Sequence, residues 1–246
     1  MSGIVGIVGT DEVAPLLVES VTRLGCQDYD SCGLAIYNGT GIEIRKDVGA
    51  FEDVAKRWDM MSMHGQLGIA HTRRATHGDV SQENAHPHLS CDRSFAVVHT
   101  GIISNYVDLK TELQKSGNHF FFSQTDTEVI AHLMEEAYQG GSVEEAFLKV
   151  LRRLEGTFAL AMISAGEPQE IFCASQKIPL VLGIDAGTKF VSSSIEVFSP
   201  YTRRAVPLDY GEYAVVSSND YCIRSISAAE QRYREVVEID RKIECR

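Results

Sequence analysis

Apolar residues recur along this chain at two different periods. Residues 4–8 form a short apolar run bracketed by glycines, which reads as a buried strand. Directly after it Val13, Leu16, Leu17, Val21 and Leu24 recur at helical spacing, with Gly25 as a C-terminal stop. Residues 34–37 and 42–45 flank Asn38-Gly39, a dipeptide that accepts the left-handed backbone of a tight turn, so this stretch predicts a hairpin. Residues 68–71 and 95–100 predict further strands, the second ending at Gly101, where backbone could approach a ligand closely.

In the middle of the chain the period lengthens. Val129, Ile130, Leu133, Met134 and Ala137 share one helical face, with a start signal at Thr125-Asp126 and a stop at Gly140-Gly141. A second helix is predicted over 143–154. Short strand-like pieces follow at 157–163, 171–174, 180–184, 189–192, 213–216 and 221–225. Strands on either side of a helical pair predict an α+β fold of two sheets with helices outside, a four-layer sandwich.

Composition narrows the setting. At 246 residues and 44% hydrophobic content the chain can bury a full core, and no linker, repeat or low-complexity tract divides it, so one domain over 1–246 is expected. A net charge of −11 argues against non-specific binding to nucleic acid or to an anionic membrane. No segment approaches the roughly 20 apolar residues of a membrane span, and no basic stretch followed by an apolar one opens the chain. A cytoplasmic protein with a small-molecule ligand is the expectation. Cys26, Cys32, Cys91, Cys173, Cys222 and Cys245 form no CxxC pair and no ligand-like cluster with histidine along the sequence. Neither a metal site nor a disulfide framework is therefore expected, and the thiols read as reduced and mostly buried. His71, His86 and His88 read as packed or locally hydrogen-bonded, and the acidic end at 235–240 with Arg241-Lys242 as a solvated tail.

Several segments carry a resemblance. Gly3-Ile4-Val5-Gly6, Tyr29-Asp30-Ser31-Cys32-Gly33-Leu34-Ala35, His71-Thr72-Arg73-Arg74-Ala75-Thr76-His77-Gly78, Asn84-Ala85-His86-Pro87-His88, Gly101-Ile102-Ile103 and the run from Thr125 to Leu133 occur in this order. Together they resemble the glutaminase domain of glucosamine-6-phosphate synthase, within the class II glutamine amidotransferases. The resemblance continues through Ile178-Pro179-Leu180-Val181 and Thr202-Arg203-Arg204 to about residue 216. It implies the αββα sandwich of the N-terminal-nucleophile hydrolases and no cofactor. It also implies that Arg73 grips the α-carboxylate of glutamine, that Thr76 and His77 line the same pocket, and that Asp126 pairs with the α-ammonium. A planar fork of donors suits a carboxylate.

Four positions depart from the family pattern. Ser2 stands where the family has an N-terminal cysteine exposed by removal of the initiator Met, whose α-amine, with a pKa of about 7.7–8.0, is the expected general base. Thr100-Gly101 stands where the family's oxyanion hole has Asn-Gly, and losing one such donor typically costs about 10²- to 10³-fold in rate. Gln27 replaces an arginine near the nucleophile, and Arg74 replaces a tryptophan of a mobile loop that covers glutamine. Ser2, Thr100 and Gly101 are thus the candidate catalytic residues, and Arg73, Thr76, His77 and Asp126 the candidate binding residues. Changes gathered around one reaction centre point to a natural paralogue that lost or altered its chemistry.

Three functions follow. The chain binds glutamine with weak or lost turnover, as a sensor or regulatory partner. Alternatively, Ser2 is a working nucleophile, and a glutaminase subunit passes ammonia to a separate acceptor protein, since no sugar isomerase or other acceptor domain is expected within 1–246. As a third reading, the pocket is retuned to another amide or amino acid. The oligomeric state stays open.

Overall fold

The computed structural model describes residues 2–24 and 29–239. Met1, the stop at Gly25, Cys26, Gln27, Cys245 and the pair Arg241-Lys242 lie outside the described residues. The first half of the chain forms β1 (Gly3–Gly9), α1 (Ala14–Thr22), β2 (Ser31–Tyr37), β3 (Ile42–Val48), α2 (Phe51–Arg57), β4 (Leu67–Arg73), β5 (His88–Leu89) and β6 (Phe95–Ile103). Helices α3 (Tyr106–Ser116), α4 (Glu128–Ala137) and α5 (Val143–Leu151) follow. The rest is β7 (Gly156–Ser164), β8 (Glu170–Gln176), β9 (Leu180–Asp185), β10 (Thr188–Ser192), β11 (Arg204–Leu208), β12 (Glu212–Ser217), β13 (Tyr221–Ser225), β14 (Gln231–Arg232) and β15 (Val237–Glu238).

The strands pair antiparallel into an eight-stranded sheet, ordered β15-β11-β9-β10-β1-β4-β2-β3, and a seven-stranded sheet, ordered β14-β13-β12-β8-β7-β6-β5. Three apolar clusters occupy three layer interfaces. Ile4, Ile69, Val98, Ala161 and Val191 pack between the sheets. Leu17, Val21 and Val54 of α1 and α2 cover the outer face of the eight-stranded sheet with Val5, Ile7 and Leu34. Leu113, Ile130, Met134 and Phe147 of α3 to α5 cover the other sheet with Val97, Leu160 and Phe172. The expected αββα sandwich is the observed one, because β1 and β4 are buried on both faces and need an apolar layer on each side. Each fully buried aliphatic or aromatic side chain in these layers contributes about 1.5–3 kcal/mol of transfer free energy.

Several element ends differ from the expected ones. Helix α4 begins at Glu128 with Thr127 at its N-cap and no side-chain cap bond, so Asp126 does not cap it. It stops at Ala137, where Tyr138 turns to extended backbone, before Gly140 and Gly141 are reached. Helix α5 closes at Leu151, and Arg153 and Leu154 complete a tighter turn by donating to the carbonyls of Val150 and Leu151. Strand β6 runs through Gly101 to Ile103, since Gly101, Ile102 and Ile103 keep their register with β7. Helices α2 and α3 lack a sequence signal because each buries only a narrow stripe, Phe51, Val54 and Ala55 in one and Leu109 and Leu113 in the other.

Candidate active site

A cleft of about 1020 Å³ is lined by the N-terminal end of β1, the C-terminal ends of β4 and β6 and the approach to α4, and Ser2, Arg73, Thr76, His77, Thr100, Gly101 and Asp126 all face it. Residues from well-separated parts of the chain meet here because the sheets bring distant strands side by side. Strand β4 lies between β1 and β2, with Gly3 opposite Thr72 and Ser31 opposite Arg73. Ser2, one residue before β1, therefore falls beside the end of β4, and the Arg74 N–H donates to Ser2 Oγ at 2.9 Å. From the other side the Ile4 N–H donates to Ser193 Oγ at 3.0 Å, and Ser192 Oγ donates to the Ile4 carbonyl at 3.1 Å.

Arg73 is 4% exposed. Its guanidinium donates to the backbone carbonyls of His77 and Asp79, and among the described residues no carboxylate forms a salt bridge with it. Burial pulls the guanidinium below the usual arginine range, opposed by the fields of Asp30 and Asp126. Asp30 pins the chain around it: its N–H donates to the Arg73 carbonyl at 2.7 Å, and its Oδ2 accepts from the Ala75 N–H at 2.8 Å. Asp126 mirrors Arg73. It too is 4% exposed, its Oδ2 accepts from the Ile103 N–H at 2.8 Å, and no described lysine or arginine pairs with it. Oδ1 lies 3.8 Å from His99 Nδ1, but that nitrogen is 2.9 Å from Thr127 Oγ1, and burial lowers the His99 pKa despite the nearby carboxylate.

A clamp ties together the segments that carry the two charged groups. Asn84 Oδ1 accepts from the Gln124 N–H at 2.8 Å, Asn84 Nδ2 donates to the Asp79 carbonyl at 2.9 Å, and Gln124 Oε1 accepts from the Asp79 N–H at 2.9 Å. The loop after β4 is thereby tied to the segment that carries Asp126. Thr76 is exposed on this loop and His77 half-buried, with its ring edge-on to Tyr106. Thr100 is half-buried on β6. Gly101 has φ +119°, and a Cβ there would lie 2.1 Å from the Thr157 carbonyl oxygen, so only glycine fits.

From the cleft wall inward runs a row of imidazoles, of which His71 and His86 line the cleft. His71 and His86 stack at 4.3 Å between ring centroids, and His86 meets His88 edge-on at 4.9 Å. His88 Nε2 and Thr125 Oγ1 are 3.1 Å apart. Local packing is thus what these three histidines do, as expected. Burial pushes the His71 pKa down to about 3 and holds those of His86 and His88 well below the usual imidazole range.

His99, Asp30 and the Asn84–Gln124 clamp were not assigned roles from sequence. Asp30 and Asn84 stand inside the quoted motifs, which was the available signal, whereas His99 is an ordinary member of an apolar strand run. One expectation about cysteine is overturned. Cys91 does cluster with histidine, its Sγ lying 3.5 Å from His132 Nδ1, because the turn after β5 packs against α4. Cys32 and Cys173 are buried, while Cys91 and Cys222 are half-buried.

Residues 71–200 match the family model described as glutamine amidotransferase domain. The glutamine–fructose-6-phosphate aminotransferase (isomerizing) of Pyrococcus horikoshii is 42% identical over 245 residues, covering 99% of this chain and 41% of the relative. That of Thermococcus kodakarensis is 40% identical over 245 residues, covering 99% of this chain and 40% of the relative. The chain thus spans about two fifths of these relatives' length. Among solved structures, glutamine phosphoribosylpyrophosphate amidotransferase from B. subtilis, complexed with ADP and GMP, superposes with a TM-score of 0.79 at 23% identity, over 92% of this chain and 49% of that one. The likeness at that identity is one of fold, the N-terminal-nucleophile hydrolase sandwich. No helix among the described residues is long and apolar enough to cross a membrane.

Proposed function

Because this chain belongs to the glutamine amidotransferase domain family, we propose that its cleft binds glutamine and that turnover there is weak or lost. One observation carries the binding: Arg73 and Asp126 are both 4% exposed, line the same cleft, and have no described salt-bridge partner of fixed opposite charge. A buried unpaired charge is costly, and an α-amino acid brings a carboxylate and an ammonium to satisfy both at once. Arg73 takes the carboxylate through its planar fork, Asp126 takes the ammonium, and Thr76 and His77 close the carboxylate end. The side-chain amide then extends toward Ser2, Thr100 and Gly101.

The weakened turnover rests on two of those positions, Ser2 and Thr100. A serine hydroxyl is a poorer nucleophile than a thiolate and depends more on its base, which in this family's chemistry is the α-amine freed when Met1 is removed. Thr100 offers a shorter side chain than an asparagine for stabilising a developing oxyanion, and such a donor is worth about 10²- to 10³-fold. A second reading is favoured by the Ser2 hydroxyl facing the cleft. In that case Ser2 attacks the amide, glutamate and ammonia are the products, and the ammonia goes to an acceptor on a partner protein.

Calorimetry with glutamine beside an ammonia-release assay separates these readings. The first expects saturable binding, weakened at least about 30-fold by Arg73→Ala, the penalty of truncating one side of a buried charge pair, together with little or no release at saturating glutamine. Sustained multiple-turnover release that Ser2→Ala abolishes supports the second. Absence of glutamine binding, with Arg73→Ala silent, removes both and leaves a different amide or amino acid as ligand.

A further inference from the structure

On the flank of α4 away from the cleft residues, four side chains converge from three separate parts of the chain. Cys91 comes from the turn after β5, His119 from the connection between α3 and α4, and His132 and Glu135 from α4 itself, one helical turn apart. One ligand atom from each lies within 4.8 Å of every other. Cys91 Sγ is 3.5 Å from His132 Nδ1, and Glu135 Oε2 is 3.8 Å from both His119 Nδ1 and His132 Nδ1. His119 is 9% exposed and His132 1% exposed, and His119 Nδ1 is buried without a hydrogen-bond partner.

We propose that Cys91, His119, His132 and Glu135 form a structural metal site whose natural occupant is Zn²⁺. Bond lengths of about 2.0–2.3 Å to nitrogen, oxygen and sulfur set tetrahedral edges of roughly 3.3–3.6 Å. The 3.5 and 3.8 Å separations lie within a few tenths of an ångström of that geometry, and the remaining pairs, all within 4.8 Å, close to it by side-chain rotation. One thiolate, two imidazoles and one carboxylate are a borderline-soft donor set that suits zinc and excludes calcium and magnesium, which take oxygen ligands. On binding, the Cys91 thiol gives its proton to solvent, and thiolate plus carboxylate neutralise the dication, so a half-buried site holds no net charge.

The surroundings are those of a metal site. His132 Nε2, the nitrogen left over, is buried without a hydrogen-bond partner and lies 3.7 Å from Glu128 Oε1, near enough that a small shift on metal binding would complete the carboxylate–histidine–metal relation. Glu128 is in turn held by the backbone N–H groups of Phe122 and Ser123 at 2.8 and 2.7 Å. The Cys91 N–H donates to Glu135 Oε2 at 2.7 Å, orienting that carboxylate while leaving it a lone pair for a metal. A groove of about 470 Å³ lined by Cys91, Glu128 and His132 supplies the entry path. Four protein ligands leave no open position, so the site is structural: it adds a staple between α4, with the Asp126 segment leading into it, and two loops already tied to it by hydrogen bonds.

Chelator-stripped protein titrated with Co²⁺ and then Zn²⁺ tests this independently of any glutamine chemistry. Wild type is expected to take up about one Co²⁺ per chain with the intense d–d bands of a tetrahedral site and a thiolate charge-transfer band, to lose them as Zn²⁺ displaces cobalt, and to melt at higher temperature with Zn²⁺ than without. Cys91→Ser should lose the charge-transfer band and the Zn²⁺-dependent melting shift while keeping its far-UV circular dichroism, and Cys222→Ser should keep both. His119→Gln tests a second ligand and should weaken binding in the same way. A wild type without a saturable tetrahedral spectrum, or a Cys91→Ser variant that retains it, overturns the site.

Discussion

Asp126 divides its work between a charge and an oxygen. The oxygen accepts the buried Ile103 N–H, and the charge faces the cleft. Asp126→Asn separates the two, since an amide oxygen can still accept that N–H. Chemical denaturation should find its stability within about 1 kcal/mol of wild type, while calorimetry should find glutamine binding weakened at least about 10-fold by loss of the ammonium partner. Gly101 is the opposite case, a position where backbone geometry alone decides. Gly101→Ala combines φ +119° with a Cβ 2.1 Å from the Thr157 carbonyl, and should destabilise by more than about 1 kcal/mol. A melting temperature equal to that of wild type would show that β6 can relax there. At this scale the candidate site was largely legible: Arg73, Thr76, His77 and Asp126, marked by motif, line one cleft. His99 does not, because its meaning comes from Thr127 and Asp126, which only the fold sets against it.

At the scale of elements, β4 and α4 organise the cleft. Strand β4 is buried throughout between two antiparallel neighbours, which is why its last residue can present a buried guanidinium. Helix α4 is held by α5 behind it, and Phe147 of α5 packs on Phe172 and Tyr213. Phe147→Ala should lower stability by about 3–5 kcal/mol, read from urea unfolding, and a loss below about 1 kcal/mol would mean the helical layer collapses to fill the space. Strongly periodic elements such as β1, α4 and the hairpin of β2 and β3 could be read from sequence. Helices α2 and α3 could not, because their buried stripes are two or three residues wide. The end of α4 was misplaced because Tyr138 turns the backbone two residues before the glycines that looked like its stop.

For the whole molecule, the buried imidazoles make stability depend on pH. An unfolded chain takes up a proton on His71 near pH 6.5, whereas the folded chain resists until about pH 3. His86, His88 and His99 are shifted in the same direction. The unfolded state therefore binds more protons in this window, so stability is complete above about pH 6.5 and is lost as pH falls toward 3. Each such histidine adds a slope of up to about 1.4 kcal/mol per pH unit. Urea midpoints measured from pH 7 to pH 4 should fall steeply, and His71→Gln should flatten the curve by about one proton's worth; an unchanged slope would mean that His71 charges in the folded state.

The linear chain by itself determined the layer pattern and the residue types of the proposed recognition site. Hydrophobic periodicity is local, and a motif keeps its residue types together whatever the fold. Only the tertiary structure decided which groups meet. Antiparallel pairing of β1 with β4 sets Ser2 beside Arg74, burial strips Arg73 and Asp126 of competing partners, and packing of α4 against two loops gathers Cys91, His119, His132 and Glu135. Those are contacts between residues tens of positions apart, and their energies come from desolvation and distance, neither of which exists until the layers close.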